Sequence, residues 1–257
     1  MTRILHFTDA HLRWNQPGSA ANPLRLSRDM PDALARLADT FVDIKPDVVV
    51  MTGDLLDVPD DVLAGAPSDG RPLDDWRAEI EADFQIYRDW FQSTGIPCLA
   101  VPGNHDDEDA FRRVFDDPPM VADIAGLRFI SFWDELGPDR QPRRTGARRD
   151  LYDSALIAAE HDLPQVHLQH YMIDPPVTSK GWNYEYRGAA DMKDAMEQSG
   201  RVRAVLSGHY HPGSLATGAA GLIHSLPPAF CEAPHPFRVY DIGQSEAIDV
   251  QDFTLLD

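Results

Sequence analysis

The chain has 257 residues, enough for one large domain or two small ones, and its 43% hydrophobic and 25% charged content is that of an ordinary globular protein. A formal charge of −19, from 42 acidic against 23 basic residues, repels nucleic acid at long range and argues against a binder of DNA backbone. No apolar run reaches the length of a bilayer span, and the chain enters an apolar strand at Arg3-Ile4-Leu5-His6-Phe7 without a signal-peptide pattern, so a cytoplasmic protein is expected.

Taken in chain order, runs rich in Val, Ile, Leu and Phe predict strands buried on both faces at Ile4–Phe7, Asp47–Met51, Ile96–Val101, Leu127–Trp133, Gln165–Gln169, Arg203–Leu206, Leu222–Leu226 and Phe237–Ile242. Helical patterns lie between them. Pro31 suits a first helical position, with Leu34, Leu37, Ala38 and Phe41 behind it. Between Asp74 and Thr94, residues Trp76, Ile80, Phe84, Tyr87 and Phe91 recur every three or four positions as one apolar stripe. Shorter helices are expected at Asp109–Phe115, Leu151–Glu160 and Ala189–Gln198. This alternation predicts a layered α/β fold with mixed sheets in a single domain over residues 1–257. Two loops, 58–73 and 172–188, are long enough to serve as walls of a site. The two cysteines, Cys98 and Cys231, give no disulfide framework. Arg140, Arg143, Arg144, Arg148 and Arg149 form a basic island in an acidic chain, read either as solvated loop or as a contact for an anionic substrate.

The chemistry lies where the strands stop. The successive strand ends read Asp9-Ala10-His11, Gly53-Asp54-Leu55-Leu56-Asp57, Gly103-Asn104-His105-Asp106, His170, and Gly208-His209-Tyr210-His211. Ligands bind at the carboxyl ends of strands in open α/β sheets, and Asp, His and Asn are ligand types for divalent transition metals. Singly, each of these residues reads as a helix cap or a core histidine; five ordered clusters behind five apolar strands read as a metal site. His6, His161, His167, His224 and His235 lack partners at ligand spacing and are read as structural.

These five blocks, in this order, resemble the calcineurin-like metallophosphoesterases. The resemblance covers residues 9–211 and implies a four-layer α-β-β-α sandwich with two metals at the strand ends. It implies one metal held by Asp9, His11, Asp54 and His211 and another by Asp54, Asn104, His170 and His209, with Asp54 bridging. A carboxylate has two oxygens and can span two cations; a water between them loses its proton near neutral pH and becomes an in-line nucleophile. The resemblance makes His105 a general acid or transition-state cation, with Asp57 holding its ring. The ligand types suit two divalent or mixed-valence ions, Mn or Fe foremost, with Zn, Co and Ni also accommodated.

Pro102-Gly103-Asn104-His105-Asp106-Asp107, with Phe111-Arg112-Arg113-Val114-Phe115 after it, is similar to the third block of bacterial class III cyclic-nucleotide phosphodiesterases. The fourth block departs from that subgroup: Gln169-His170-Tyr171-Met172 stands where His-His-Pro-Pro is usual. Trp182, Tyr184, Tyr186 and Tyr210 are read either as a stacking surface for a base or aryl group or as packed loop aromatics, and Arg187 as a phosphate clamp. The resulting expectation is a two-metal phosphodiesterase for a small phosphoester, with a phosphomonoesterase or nucleotidase as the alternative and a non-catalytic scaffold of the same fold behind both. No nucleic-acid polymer or membrane span is expected as a partner; a homodimer is allowed.

Overall fold

The computed structural model describes residues 1–179, 182–184, 186–218, 221–243 and 247–255. The chain begins with β1 (Thr2–Phe7), crosses through α1 (Met30–Asp39) and α2 (Phe41–Ile44) to β2 (Val48–Thr52), and passes α3 (Asp60–Leu63) and α4 (Leu73–Thr94) to β3 (Cys98–Val101) and α5 (Glu108–Val114). There follow β4 (Val121–Ile124), β5 (Leu127–Phe132), a small hairpin of β6 (Glu135–Leu136) and β7 (Pro142–Arg143), α6 (Gly146–Ile157) and β8 (Gln165–Gln169). A second small hairpin, β9 (Thr178–Ser179) and β10 (Trp182–Asn183), precedes α7 (Ala189–Ser199). The chain closes with β11 (Val202–Leu206), β12 (Ser214–Thr217), β13 (Ile223–Leu226), β14 (Pro236–Ile242) and β15 (Asp249–Thr254).

Two mixed sheets result, in the orders β15-β14-β1-β2-β3 and β12-β13-β11-β8-β5-β4. Their centres are parallel: β1, β2 and β3 run together in one, and β13, β11, β8 and β5 in the other. A strand covered on both faces must be apolar on both, and Val48-Val49-Val50-Met51-Thr52 is buried throughout. Alternation in β5 shows how the layers separate: Leu127 and Phe129 face the interior shared with the first sheet, while Ile130 and Phe132 face α6 and α7. On the far side of the first sheet, α4 buries Trp76, Ile80, Phe84 and Tyr87, the stripe read from sequence, and stops at Gly95 in a left-handed cap. The arrangement is therefore the expected four-layer α-β-β-α sandwich.

The eight predicted strands all form, within two residues at each end. Pro31 falls in the first turn of α1, after Met30. Helix α6 starts at Gly146 and ends at Ile157, earlier than the apolar pattern suggested, with a 3₁₀ turn at Ala159–His161 behind it. Loop 58–73 contains α3, a single helical turn. Among the described residues no helix is long and apolar enough to cross a membrane.

Candidate metal centre

Parallel strands deliver their carboxyl ends to one edge, and the loops leaving those ends are stitched together across both sheets. The Asp9, His11 and Leu12 amides donate to the Gly53, Asp54 and Leu55 carbonyls, joining the β1 and β2 ends, and the Gly208 amide donates to the His170 carbonyl at 2.8 Å, joining β11 to β8. The first sheet is tied to the second by the His209 amide, which donates to both Asp9 carboxylate oxygens at 3.1 and 3.0 Å.

Such close approach leaves no room for side chains at two glycines. At Gly53, where φ is +90°, a β-carbon would lie 2.3 Å from His170 Nδ1; at Gly208 it would lie 2.1 Å from Thr8 Oγ1. Asp106 completes the frame: its buried carboxylate accepts the Leu55, Leu56 and Gly103 amides at 3.1, 2.8 and 2.8 Å. It bonds backbone across the loops, which is a wider role than a turn residue satisfying itself.

Asp9, His11 and His211 converge in one group of potential metal donors, and Asp54, His170 and His209 in another, the donor atoms of each lying within 4.8 Å of one another. Asp54 stands between the two. Its Oδ2 is 3.5 Å from His11 Nε2 and its Oδ1 is 3.5 Å from His170 Nε2, so each oxygen faces a different group. Asn104 Oδ1 lies 3.1 Å from His170 Nε2. All seven proposed ligands are therefore brought together, Asp9, His11, Asp54 and Asn104 from the first sheet and His170, His209 and His211 from the second.

The histidine tautomers fit metal ions. His170 Nδ1–H donates to the Thr52 carbonyl at 2.8 Å and His211 Nδ1–H to Glu232 Oε1 at 2.8 Å, which turns each Nε2 inward as the nitrogen that would face a cation. His11 Nε2 and His211 Nε2 lie 3.2 Å apart, close enough for both to serve one cation. Four of the proposed ligands, Asp9, His11, Asp54 and His209, hold their backbone in the left-handed region with φ between 48° and 71°. Asp and His tolerate that region better than most residues.

The electrostatics are those of buried opposite charges. Burial alone would depress the His170 imidazole, but the Asp54 carboxylate beside it prevails and lifts it to about 9. Asp54 is held well below the ordinary carboxylate range, its burial outweighed by His170 and His105. Burial instead holds His11 down at about 4 and His209 at about 3.

Asp57 differs from the expectation. Its carboxylate is turned to His11 Nδ1 at 3.4 Å and is held by Arg25 at 2.6 Å and Arg13 at 3.4 Å. His105 Nδ1 instead lies 3.4 Å from the Val58 carbonyl, and the His105 amide donates to Asp54 Oδ1. The reason is electrostatic: two guanidinium groups below the loop draw Asp57 toward the β1 side, away from His105.

Above these residues opens a cleft of about 410 Å³ lined by Asn22, Arg25, Asp54, Asp60, Asn104, His105, Arg140, Tyr184, His209, His211 and Glu232. Both long loops reach it, one through Asp60 and the other through Tyr184. Tyr184 packs edge-on against His209 and Tyr210, with ring centroids 5.2 Å apart in each case. Tyr186 is buried in the core beside α7, away from a stacking position. The Trp182 side chain lies outside the described residues. A larger cavity of about 730 Å³ adjoins the cleft at Tyr184 but contains none of the metal-donor groups.

The basic island divides. Arg144 is fully buried against Asp134 at 2.8 Å, Arg148 meets Glu108 at 2.9 Å, Arg149 meets Asp153 at 2.9 Å, and Arg143 pairs with Asp139. Arg187, read as a phosphate clamp, also pairs with Asp139 and is not among the cleft residues. Glu232, Arg25 and Asn22 were not foreseen. Glu232 follows His211 by 21 positions, with no local spacing to mark the pair. His6, His161, His167, His224 and His235 lie outside the donor groups found among the described residues.

This geometry agrees with comparisons to known proteins. The family model described as calcineurin-like phosphoesterase matches residues 2–213, and the chain belongs to that family of phosphoester hydrolases. A protein of Synechococcus sp. named a probable cyclic nucleotide phosphodiesterase is 28% identical over 187 residues, 68% of this chain and 63% of that protein. One of the same name from Rhodococcus erythropolis is 27% identical over 240 residues, 89% of this chain and 70% of that protein. The chain thus spans about two thirds of the length of these relatives. A dimetal phosphatase from Danio rerio shares the fold with a TM-score of 0.67 at 12% identity, over 100% of this chain and 97% of that structure.

Proposed function

We propose that the chain hydrolyses a small phosphodiester, of the cyclic-nucleotide kind or a related one, with two metal ions. The observation that carries this is Asp54, whose two oxygens face two separate groups of donors. When bound, the ions would polarise the phosphoryl oxygen and acidify a water for in-line attack; Mn or Fe suits this donor set, as do Zn, Co and Ni.

The chain's own residues do the rest. Asp9, His11 and His211 would hold one ion and Asn104, His170 and His209 the other, with Glu232 and Asp57 orienting His211 and His11 from behind. His105 stands on the cleft wall with its ring 5.0 Å from that of His11, and we assign it proton donation to the leaving oxygen. The names of the two bacterial relatives support a diester substrate. Two free cysteines, one buried and one half-buried, support a cytoplasmic setting.

The test is nitrophenol release from bis(4-nitrophenyl) phosphate by chelator-stripped protein before and after reloading with Mn²⁺. Restored turnover is expected. No turnover in protein shown to be reloaded would overturn the reading, and faster turnover of 4-nitrophenyl phosphate would make the protein a monoesterase.

A further inference from the structure

The cavity of about 730 Å³ is walled by α7, loop 172–188 and the end of β12, and it meets the metal cleft at one side chain, Tyr184, which lines both. A ligand held at the metal donors by its phosphoryl group therefore has room past Tyr184 for the rest of its body. Ile173, Pro176 and Tyr186 give the cavity an apolar side against which an alkyl chain can lie.

The charged side of the cavity is mostly of one sign. Asp174, Asp191, Asp194 and Glu197 stand against Lys193 alone among the lining residues, and Lys193 is bound to Asp174 at 3.0 Å. His224 does not offset them. Its neighbours on β13, Ile223 and Ser225, face the first sheet, so the His224 ring, 2% exposed, faces α7. There it lies in the field of Asp174, Lys193 and Glu197, and burial keeps it neutral at pH 7. Neither of its ring nitrogens has a hydrogen-bond partner among the described residues, an uncommon state for a buried polar group and one that a polar occupant would relieve.

The two adjoining spaces thus differ in what they attract. The metal cleft, once loaded, takes an anion, while the cavity beside it favours a cation. In a chain of net charge −19, an ester whose only charge is its phosphate is repelled except at the metals. An ester with an ammonium group on its alcohol is neutral overall and is matched at both ends.

We propose that the cavity is a subsite for the alcohol portion of the substrate and selects alcohols that carry an ammonium group. The proposal rests on the reading of the cleft as a phosphoester site. A partly exposed carboxylate strengthens the binding of an ammonium by roughly 1.5- to 5-fold, so several acting together give about tenfold over an uncharged arm.

The experiment uses three phosphonates whose C–P bond the enzyme does not hydrolyse and which differ only at the far end of the chain: 6-aminohexylphosphonate, heptylphosphonate and 6-carboxyhexylphosphonate. Each is titrated by calorimetry into Mn²⁺-loaded protein. The ammonium ligand is expected to bind about tenfold more tightly than the uncharged one and the carboxylate ligand most weakly, with the spread narrowing as salt is raised. Asp191 and Asp194 are exposed on α7 and absent from the metal-donor groups, so the double variant Asp191→Asn/Asp194→Asn should fold and keep its metal. In it the ammonium preference should fall at least about threefold while heptylphosphonate affinity stands. Equal affinity for the ammonium and uncharged ligands, or a preference untouched by the double variant, overturns the subsite. Turnover of bis(4-nitrophenyl) phosphate is followed in parallel. Turnover together with equal affinities removes the subsite and leaves the hydrolase. An ammonium preference lost in the double variant of a protein that turns over no ester keeps the subsite and removes the hydrolase reading, and no binding of any phosphonate overturns the proposal outright.

Discussion

Replacing Asp54 by Asn keeps the shape of the residue and removes the charge shared by both donor groups. Metal should be lost from both positions and turnover with it, as elemental analysis and the nitrophenol assay would show. His105→Ala is expected to keep the metal and lose roughly 10²–10⁴-fold in kcat on diesters with poor leaving groups. Asp57→Asn separates its two readings. Because Asp57 faces His11, the variant should bind metal about 10–100-fold more weakly, and a variant whose kcat falls while metal affinity stands would return Asp57 to His105. At this scale the strand-end Asp, Asn and His residues were legible because the motif states residue type and order together. The partner of Asp57 was not, because a side chain choosing between two histidines obeys the field of Arg13 and Arg25, which stand elsewhere in the sequence. Glu232 was hidden for the same reason: its meeting with His211 is made by the return of the chain across β13.

The elements were read well where both faces are buried and poorly at the edges. Strands β4, β12 and β15 passed unnoticed. Asp249-Val250-Gln251-Asp252-Phe253-Thr254 puts Asp and Gln toward solvent and carries little apolar signal, since an edge strand need bury only one face. The segment after β1 shows how an element can be fixed by one distant residue. Asp83, buried on α4, accepts the Trp14, Asn15 and Gln16 amides at 3.2, 2.6 and 3.2 Å and the Asn15 and Gln16 side-chain amides at 2.9 and 3.0 Å. It anchors the start of the loop that carries Asn22 and Arg25 into the cleft. Asp83→Ala is expected to cost about 2–4 kcal/mol in urea unfolding and to open the segment to trypsin at Arg25 and Arg28; unchanged stability would show that the donors find water instead.

Over the whole molecule, acid should destabilise. Burial pushes His6 and His167 well below the ordinary imidazole value and His224 to about 4. Each is neutral when folded and binds a proton more readily when unfolded. Their contribution is complete above pH 6.5 and is lost as pH falls through the folded values, at up to about 1.4 kcal/mol per pH unit for each ring. Asp106, lifted to about 7 by burial and the Asp54 charge, works in the opposite sense and offsets about one ring. Urea midpoints should therefore drop between pH 6.5 and 4.5, less steeply in His224→Leu; a flat profile would refute the account. The charge of −19 makes a kinetic prediction as well. An anionic ester approaches against the field, so kcat/KM should rise with salt between about 10 and 150 mM as repulsion is screened.

The left-handed backbone at Asp9, His11, Asp54 and His209 bears on how this centre can change over generations. Under the proposed metal-binding role, a replacement at those four positions must both donate to the metal and accept a conformation that costs most side chains about 1–3 kcal/mol. Asp, Asn and His satisfy both demands; Glu and Cys satisfy only the first. Asn104, His170 and His211 carry no such restriction. Drift toward a different metal should therefore enter through those three, with the other four held as a fixed frame.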